Sequence, residues 1–110
     1  MANAITTDEL ASQAEQFQII DARRRPDFDA SPGMISRAVW CDPENVDNWK
    51  ANLDPQRLAV VYCVHGRQVS QGCSQALEQA GFSVRYLAGG YEKWAAERKP
   101  LVTKMEGRGQ

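Results

Sequence analysis

Histidine is almost missing from this 110-residue chain and cysteine is scarce: His65 stands alone beside Cys41, Cys63 and Cys73. No two cysteines form a Cys-x-x-Cys pair. A zinc site would therefore be short of ligands. An odd number of isolated cysteines does not make a disulfide framework, and a reducing compartment is the expectation. No apolar run approaches the ~20 residues that a membrane-spanning helix needs. Excess charge is missing too, with 13 Lys and Arg against 14 Asp and Glu. That balance gives no electrostatic reason to expect nucleic acid or a membrane surface as partner. The first residues, Met1 to Ile5, lack a basic stretch followed by an apolar one. No secretory signal is expected, and a cytoplasmic protein is the default.

What is there suits a globular domain. The chain is 43% hydrophobic and 25% charged, enough for one core without staples and too short for two. The expected organisation is a single domain over 1–110, with its core at about 5–100 and a loose tail at 101–110.

Strand and helix signals alternate along the sequence. Thr6 and Glu9 have capping-box spacing, and Leu10, Ala14 and Phe17 follow on one helical face. Phe17 to Ile20 reads as a short strand ending at Asp21, followed by a polar loop from Ala22 to Met34. Ala38-Val39-Trp40 is the heart of the next strand. Asp42 and Pro43 are suited to the N-cap and first position of a helix carrying Val46, Trp49 and Leu53. Leu58 to Cys63 is apolar without alternation, as a central parallel strand buried on both faces should be. The next helix places Val69, Gly72, Cys73, Ala76, Leu77 and Ala80 on one stripe and stops at Gly81, a left-handed cap. Ser83 to Leu87 is the last expected strand. Ala88-Gly89-Gly90 then turns into a short helix with Tyr91, Trp94 and Ala95, limited by Pro100. Such alternation predicts a three-layer α/β domain around a mainly parallel sheet. Sites in these sheets form beyond the carboxyl ends of the strands.

The segment that carries chemistry is Cys63-Val64-His65-Gly66-Arg67-Gln68-Val69-Ser70. A cysteine closes the central strand, and a helix starts within a few residues. The loop between can curl so that the N–H groups of residues 64–69 face the sulfur. The helix start adds its positive end, and Arg67 adds a full charge. All three favour the thiolate and would lower the thiol pKa. The same cradle can hold an anion or a persulfide, with no metal or organic cofactor. Cys73 lies on the apolar stripe and reads as core. Cys41 follows a strand but has no glycine-rich or charged cradle, and reads as an ordinary loop cysteine. His65 is expected to point outward at the rim, with general-base duty as the alternative.

These residues resemble the rhodanese-like family over roughly Thr6 to Trp94. Ile19-Ile20-Asp21-Ala22-Arg23 is similar to its strand and Asp-x-Arg. Gly33 to Ala38 resembles its Gly-His-Ile-Pro-Gly-Ala segment, with Met34 in place of His and Ser36-Arg37 in place of Pro-Gly. Val60 to Cys63 resembles its active-site strand. Tyr86 to Gly90 and Trp94 resemble its closing strand, double glycine and Trp. The resemblance implies the rhodanese fold, with a five-stranded sheet flanked by helices. It also implies a ping-pong sulfurtransferase reaction. Cys63 would be the nucleophile, the backbone N–H groups of Val64, His65, Gly66, Gln68 and Val69 would hold the charge, and Arg67 would attract the donor. Asp21 and Arg23 would be structural; Arg24 and Arg25 lie on the same loop, at the mouth or as surface charge. The partners implied are a small anionic sulfur donor such as thiosulfate and a thiol, cyanide or protein acceptor.

Two rival readings stand beside this one. A cysteine phosphatase or arsenate reductase would need an arginine where the count from Cys63 reaches Val69. Arg67 comes two positions early, and a smaller cradle suits sulfur better than phosphate. The other rival is a rhodanese-like redox sensor or sulfur relay with little turnover.

Overall fold

The structure is a computed structural model, and it describes residues 3–66 and 68–103. Its elements in chain order are β1 (Asn3–Ile5), α1 (Thr7–Ser12), β2 (Gln18–Asp21), α2 (Arg25–Ala30), β3 (Gly33–Ile35), β4 (Ala38–Trp40), α3 (Val46–Trp49), β5 (Ala59–Tyr62), α4 (Gln68–Gln79), β6 (Val84–Leu87), α5 (Gly90–Ala96) and β7 (Leu101–Thr103). Short 3-10 turns precede β2 and flank α3.

Five strands form one parallel sheet in the order β1-β6-β5-β2-β4. All four residues of β5 are buried, which is why its sequence shows no polar alternation. Successive side chains leave a strand on opposite faces, so this sheet has two cores. Ile19, Val60 and Tyr62 meet Leu10 of α1 and Trp94 of α5 on one face. Ile20, Ala59, Val61 and Val84 meet Cys73 and Leu77 of α4 on the other. Val46, Trp49 and Leu53 pack against that second cluster, as their spacing predicts. The helix that carries them is a single α-turn between 3-10 turns.

Local chemistry sets several boundaries. The capping box at α1 forms as expected: Glu9 N–H donates to Thr6 Oγ1 at 3.1 Å, and Thr6 N–H donates to Glu9 Oε1 at 3.0 Å. Asp42 Oδ1 accepts from Glu44 N–H. Gly81 ends the α4 region at φ 97°, with Phe82 N–H donating back to Leu77 O.

Three expectations need correction. The segment 22–34 is not all loop, because α2 and β3 lie within it. The tail segment 101–110 is not loose throughout: Leu101–Thr103 pairs antiparallel with β3, where backbone hydrogen bonding to Gly33–Ile35 orders it. Residues 104–110 lie outside the described residues. The buried stripe of α4 is Ser70, Cys73, Ser74 and Leu77, while Gly72, Ala76 and Ala80 are exposed. The helix turns its two serines, not its alanines, toward the interior. Cys41 is a loop residue, as expected, and lies half-buried against the second core cluster. Among the described residues, no helix is long and apolar enough to cross a membrane.

Candidate active site

Cys63 follows directly on β5 in the middle of the sheet and is 6% exposed. It opens into a cleft of about 390 Å³ lined by Arg23, Arg24, Asp27, Val64, His65, Gln68 and Val69 as well. The cleft thus lies beyond the carboxyl ends of β2 and β5, where an open α/β sheet leaves room for a ligand.

The loop after Cys63 is held from below by α5. The first N–H groups of a helix lack partners within it. Here Tyr91 N–H donates to Cys63 O at 2.8 Å and Glu92 N–H to Val64 O at 3.0 Å. In a trans peptide the C=O and N–H of one unit point opposite ways, and no cis bond occurs among the described residues. With both carbonyls turned to α5, the N–H groups of Val64 and His65 point away from it.

The loop also needs its glycine. Gly66 has φ 71°, and a Cβ on it would lie 2.5 Å from Leu87 O and 2.8 Å from Gly89 N. Gly66 is therefore buried beneath the loop, against the Gly89-Gly90 turn, and does not line the cleft. Its carbonyl accepts from Gln71 Nε2 at 3.2 Å.

Asp21 and Arg23 are the wall behind the cleft. Their side chains are 0% and 1% exposed, and Arg23 Nη2 donates to Asp21 Oδ2 at 2.7 Å. Arg23 Nη2 also donates to Gly33 O, and its guanidinium lies 4.3 Å from the Tyr91 ring centroid. Phe28 and Tyr62 present their rings to the same cation. Burial works to lower the Arg23 pKa, but the hydrogen bond and charge of Asp21 outweigh it and raise it above the ordinary value. Tyr62 Oη donates to Asp21 Oδ2 at 2.8 Å and accepts from Ile35 N–H. Burial, followed by the Asp21 charge, pushes the Tyr62 phenol well above its usual range.

The remaining expected residues fall as follows. His65 is at the rim, with Nδ1 3.2 Å from Glu92 Oε1 and more than half its side chain exposed. Gln68 and Val69 line the cleft from the start of α4. Arg24 is in the cleft, but Arg25 turns to Asp29 and to the Trp40 ring. Arg67 lies outside the described residues. Cys73 is 5% exposed in the core, and burial, with smaller effects from Cys63 and Cys41, pushes its thiol up to about 11.

Two residues escaped the sequence reading. Ser70 is fully buried, with Oγ 3.2 Å from Cys63 Sγ. Its signal was a hydroxyl in the first turn of the helix that follows the cysteine. Asp27 joins the cleft because α2 exists where a loop was expected. Among the described residues, no group of three or more His, Cys, Asp or Glu side chains is placed to hold a metal ion.

The chain matches the rhodanese-like domain family over residues 6–97. It is 34% identical over 84 residues to the thiosulfate sulfurtransferase GlpE of Shewanella oneidensis, covering 76% of this chain and 80% of that protein. It is 38% identical over 63 residues to a tRNA 2-selenouridine synthase of Shewanella loihica, covering 57% of this chain but spanning 16% of that protein's length. The solved structure of a rhodanese-related protein from Thermoplasma volcanium superposes with a TM-score of 0.81 at 22% identity, covering 91% of this chain and 97% of that one. With a family match across most of its length and the same fold in a solved relative, the chain belongs to the rhodanese-like domain family.

Proposed function

We propose that the chain is a sulfurtransferase that carries sulfane sulfur on Cys63, from a donor such as thiosulfate to a thiophilic acceptor. The observation that carries this reading is the seat of Cys63: a cysteine at the end of the central strand, opening into a cleft, on a loop whose first two carbonyls are turned away into α5. The name of the Shewanella oneidensis relative supplies the donor class.

In the first half-reaction the Cys63 thiolate attacks the outer sulfur of thiosulfate. A sulfur–sulfur bond forms to Cys63, the bond to the sulfite sulfur breaks, and sulfite leaves with the electron pair. The Val64 and His65 N–H groups receive the persulfide's negative charge, as fixed donors do in a site that needs no rearrangement. Arg24 and, by its place in the sequence, Arg67 make the mouth attractive to a dianion. In the second half-reaction cyanide or a thiol attacks the outer sulfur, and the pair returns to Cys63 Sγ. The side chain at the oxyanion-gripping position of a cysteine phosphatase is Val69, which offers no donor and disfavours phosphate as the substrate.

Intact-mass spectrometry tests the proposal. Thiosulfate should add one sulfur atom to the wild type and none to Cys63→Ser. Loading that survives Cys63→Ser and disappears in Cys41→Ser or Cys73→Ala would overturn the site. Reversible peroxide oxidation of Cys63 without any thiosulfate loading would favour a sensor instead.

A further inference from the structure

We infer that Ser70 is a positioning residue for the inner sulfur, and that it serves the discharge of the persulfide more than its formation. This rests on the sulfurtransferase reading of Cys63. Ser70 Oγ lies 3.2 Å from Cys63 Sγ, within reach of a hydrogen bond to sulfur, and the serine is 0% exposed. While Cys63 is a thiol, its S–H can donate to the hydroxyl. Once it is a thiolate, the hydroxyl is the partner that still carries a proton, so Ser70 must donate. A hydrogen bond to an ionised sulfur is stronger than one to a neutral one.

The negative charge changes place during the cycle. In the free enzyme it is on Sγ, beside Ser70. In the persulfide it is on the outer sulfur, one bond further into the cleft. Ser70 is fixed in the first turn of α4 and buried, so it does not follow the charge outward. The hydroxyl therefore stabilises the thiolate more than the persulfide. Discharge to cyanide runs as Cys–S–S⁻ plus CN⁻ to Cys–S⁻ plus SCN⁻. The carbon–sulfur bond forms, the sulfur–sulfur bond breaks, and the pair lands on Sγ. Ser70 donates to the sulfur that receives that pair, so its bond strengthens as the leaving group departs. Interactions that grow in the transition state are the ones that accelerate a step. Loading runs the other way at Sγ: charge leaves it, and a donor there is of less help.

The division of labour follows from position. The backbone N–H groups of Val64 and His65 hold the sulfur being transferred, and the Ser70 hydroxyl holds the sulfur that stays.

Two measurements on Ser70→Ala test this, with Ser70→Thr to restore the hydroxyl and Ser70→Gly as a second variant without one. The first is the pH profile of iodoacetamide alkylation at Cys63, read on the Cys63 peptide. Its midpoint should rise by about one pH unit in Ser70→Ala and Ser70→Gly and return toward wild type in Ser70→Thr. The charged and titratable groups around the sulfur are unchanged by these substitutions: Arg23, Arg24 and Asp27 in the cleft, His65 with Glu92 at the rim, and Cys73 in α4. The second is single-turnover kinetics. Discharge of the loaded enzyme by cyanide should slow by about tenfold or more, and loading by thiosulfate should slow less. An unmoved midpoint with unchanged discharge overturns the inference. So does an equal loss in both half-reactions with the midpoint unmoved, which a merely structural serine would give. The alkylation profile needs no sulfur donor. It judges Ser70 even if thiosulfate fails to load the wild type, a result that would count against the sulfurtransferase reading instead.

Discussion

Gly90 is packed so closely on Gly66 that a Cβ added to it would lie 2.6 Å from the Gly66 nitrogen and 2.5 Å from the Cys63 carbonyl oxygen. Gly90 also has φ 62°. Gly90→Ala should therefore lose at least ~2 kcal/mol of stability, from the left-handed backbone and from displaced backbone neighbours. It should also lose sulfur loading, because the atoms displaced belong to the loop. Gly72→Ala is the control. It lies within α4 with nothing inside 4 Å of the added carbon, so it should gain about 0.5–1 kcal/mol. Urea unfolding of the two variants checks both signs.

Arg23→Met should be costly for a different reason. It leaves the Asp21 carboxylate buried without its cation, and breaking a buried ion pair from one side costs about 3–5 kcal/mol. The loss should fall short of additive in Asp21→Asn with Arg23→Met, since the two residues act as one unit. Chemical denaturation of the two single variants and the double variant measures the coupling. A fully additive double variant would contradict the shared role.

Cys73 predicts a dependence on alkaline pH. Its thiol is raised from 9.0 to about 11, so the folded state holds its proton more tightly than the unfolded chain. Stability from this group is fully present below pH 9 and is lost as pH rises toward 11, by about 2–3 kcal/mol. Thermal melting between pH 8 and pH 10.5 should show a smaller decline for Cys73→Ala than for wild type. Parallel declines would mean that Cys73 is not the group responsible.

Ser74 offers a stabilising substitution. Its buried hydroxyl has no hydrogen-bond partner among the described residues, whereas Ser70, one turn earlier, is bonded to Cys63. Ser74→Ala removes an unsatisfied group worth about 1–3 kcal/mol and adds a better helix former. Its melting temperature should rise, and sulfur loading should be unaffected. A fall would mean that the Ser74 hydroxyl makes a contact in solution that this geometry lacks.

The legible parts of the sequence were those with a local cause. The unbroken apolar run of β5, the Thr6–Glu9 capping box and the Asp42-Pro43 helix entry each carry their signal within a few residues, and each took its expected place. The cleft at Cys63 was legible, because a glycine and a helix start lie just behind the cysteine. Elements settled by distant partners were not. The strand Asn3–Ile5 is three residues long and is defined by pairing with Val84–Leu87, some 80 positions away. The pairing of Gly33–Ile35 with Leu101–Thr103 is equally remote. The helix at Arg25–Ala30 begins at an Arg24 that makes no side-chain cap and buries no residue completely. It shows no apolar stripe to read. Ser70 was passed over because helical spacing favours alanines and valine for the buried face. The cysteine above it, a contact across the strand–helix turn, is what draws the serine inward.

The carbonyls of Cys63 and Val64 stand in for the missing first turn of α5, and that makes the Cys63 loop a shared part. It cannot swing open without leaving two helix donors bare, so any ligand of the cleft meets a loop that is already shaped. It is also not a portable peptide. The Cys63 loop grafted into another scaffold would lack the helix start and the glycine pair that hold its first two carbonyls. The smallest transplantable unit is discontinuous: it joins 63–70 to 87–92, and any redesign of one half has to be made with the other in view.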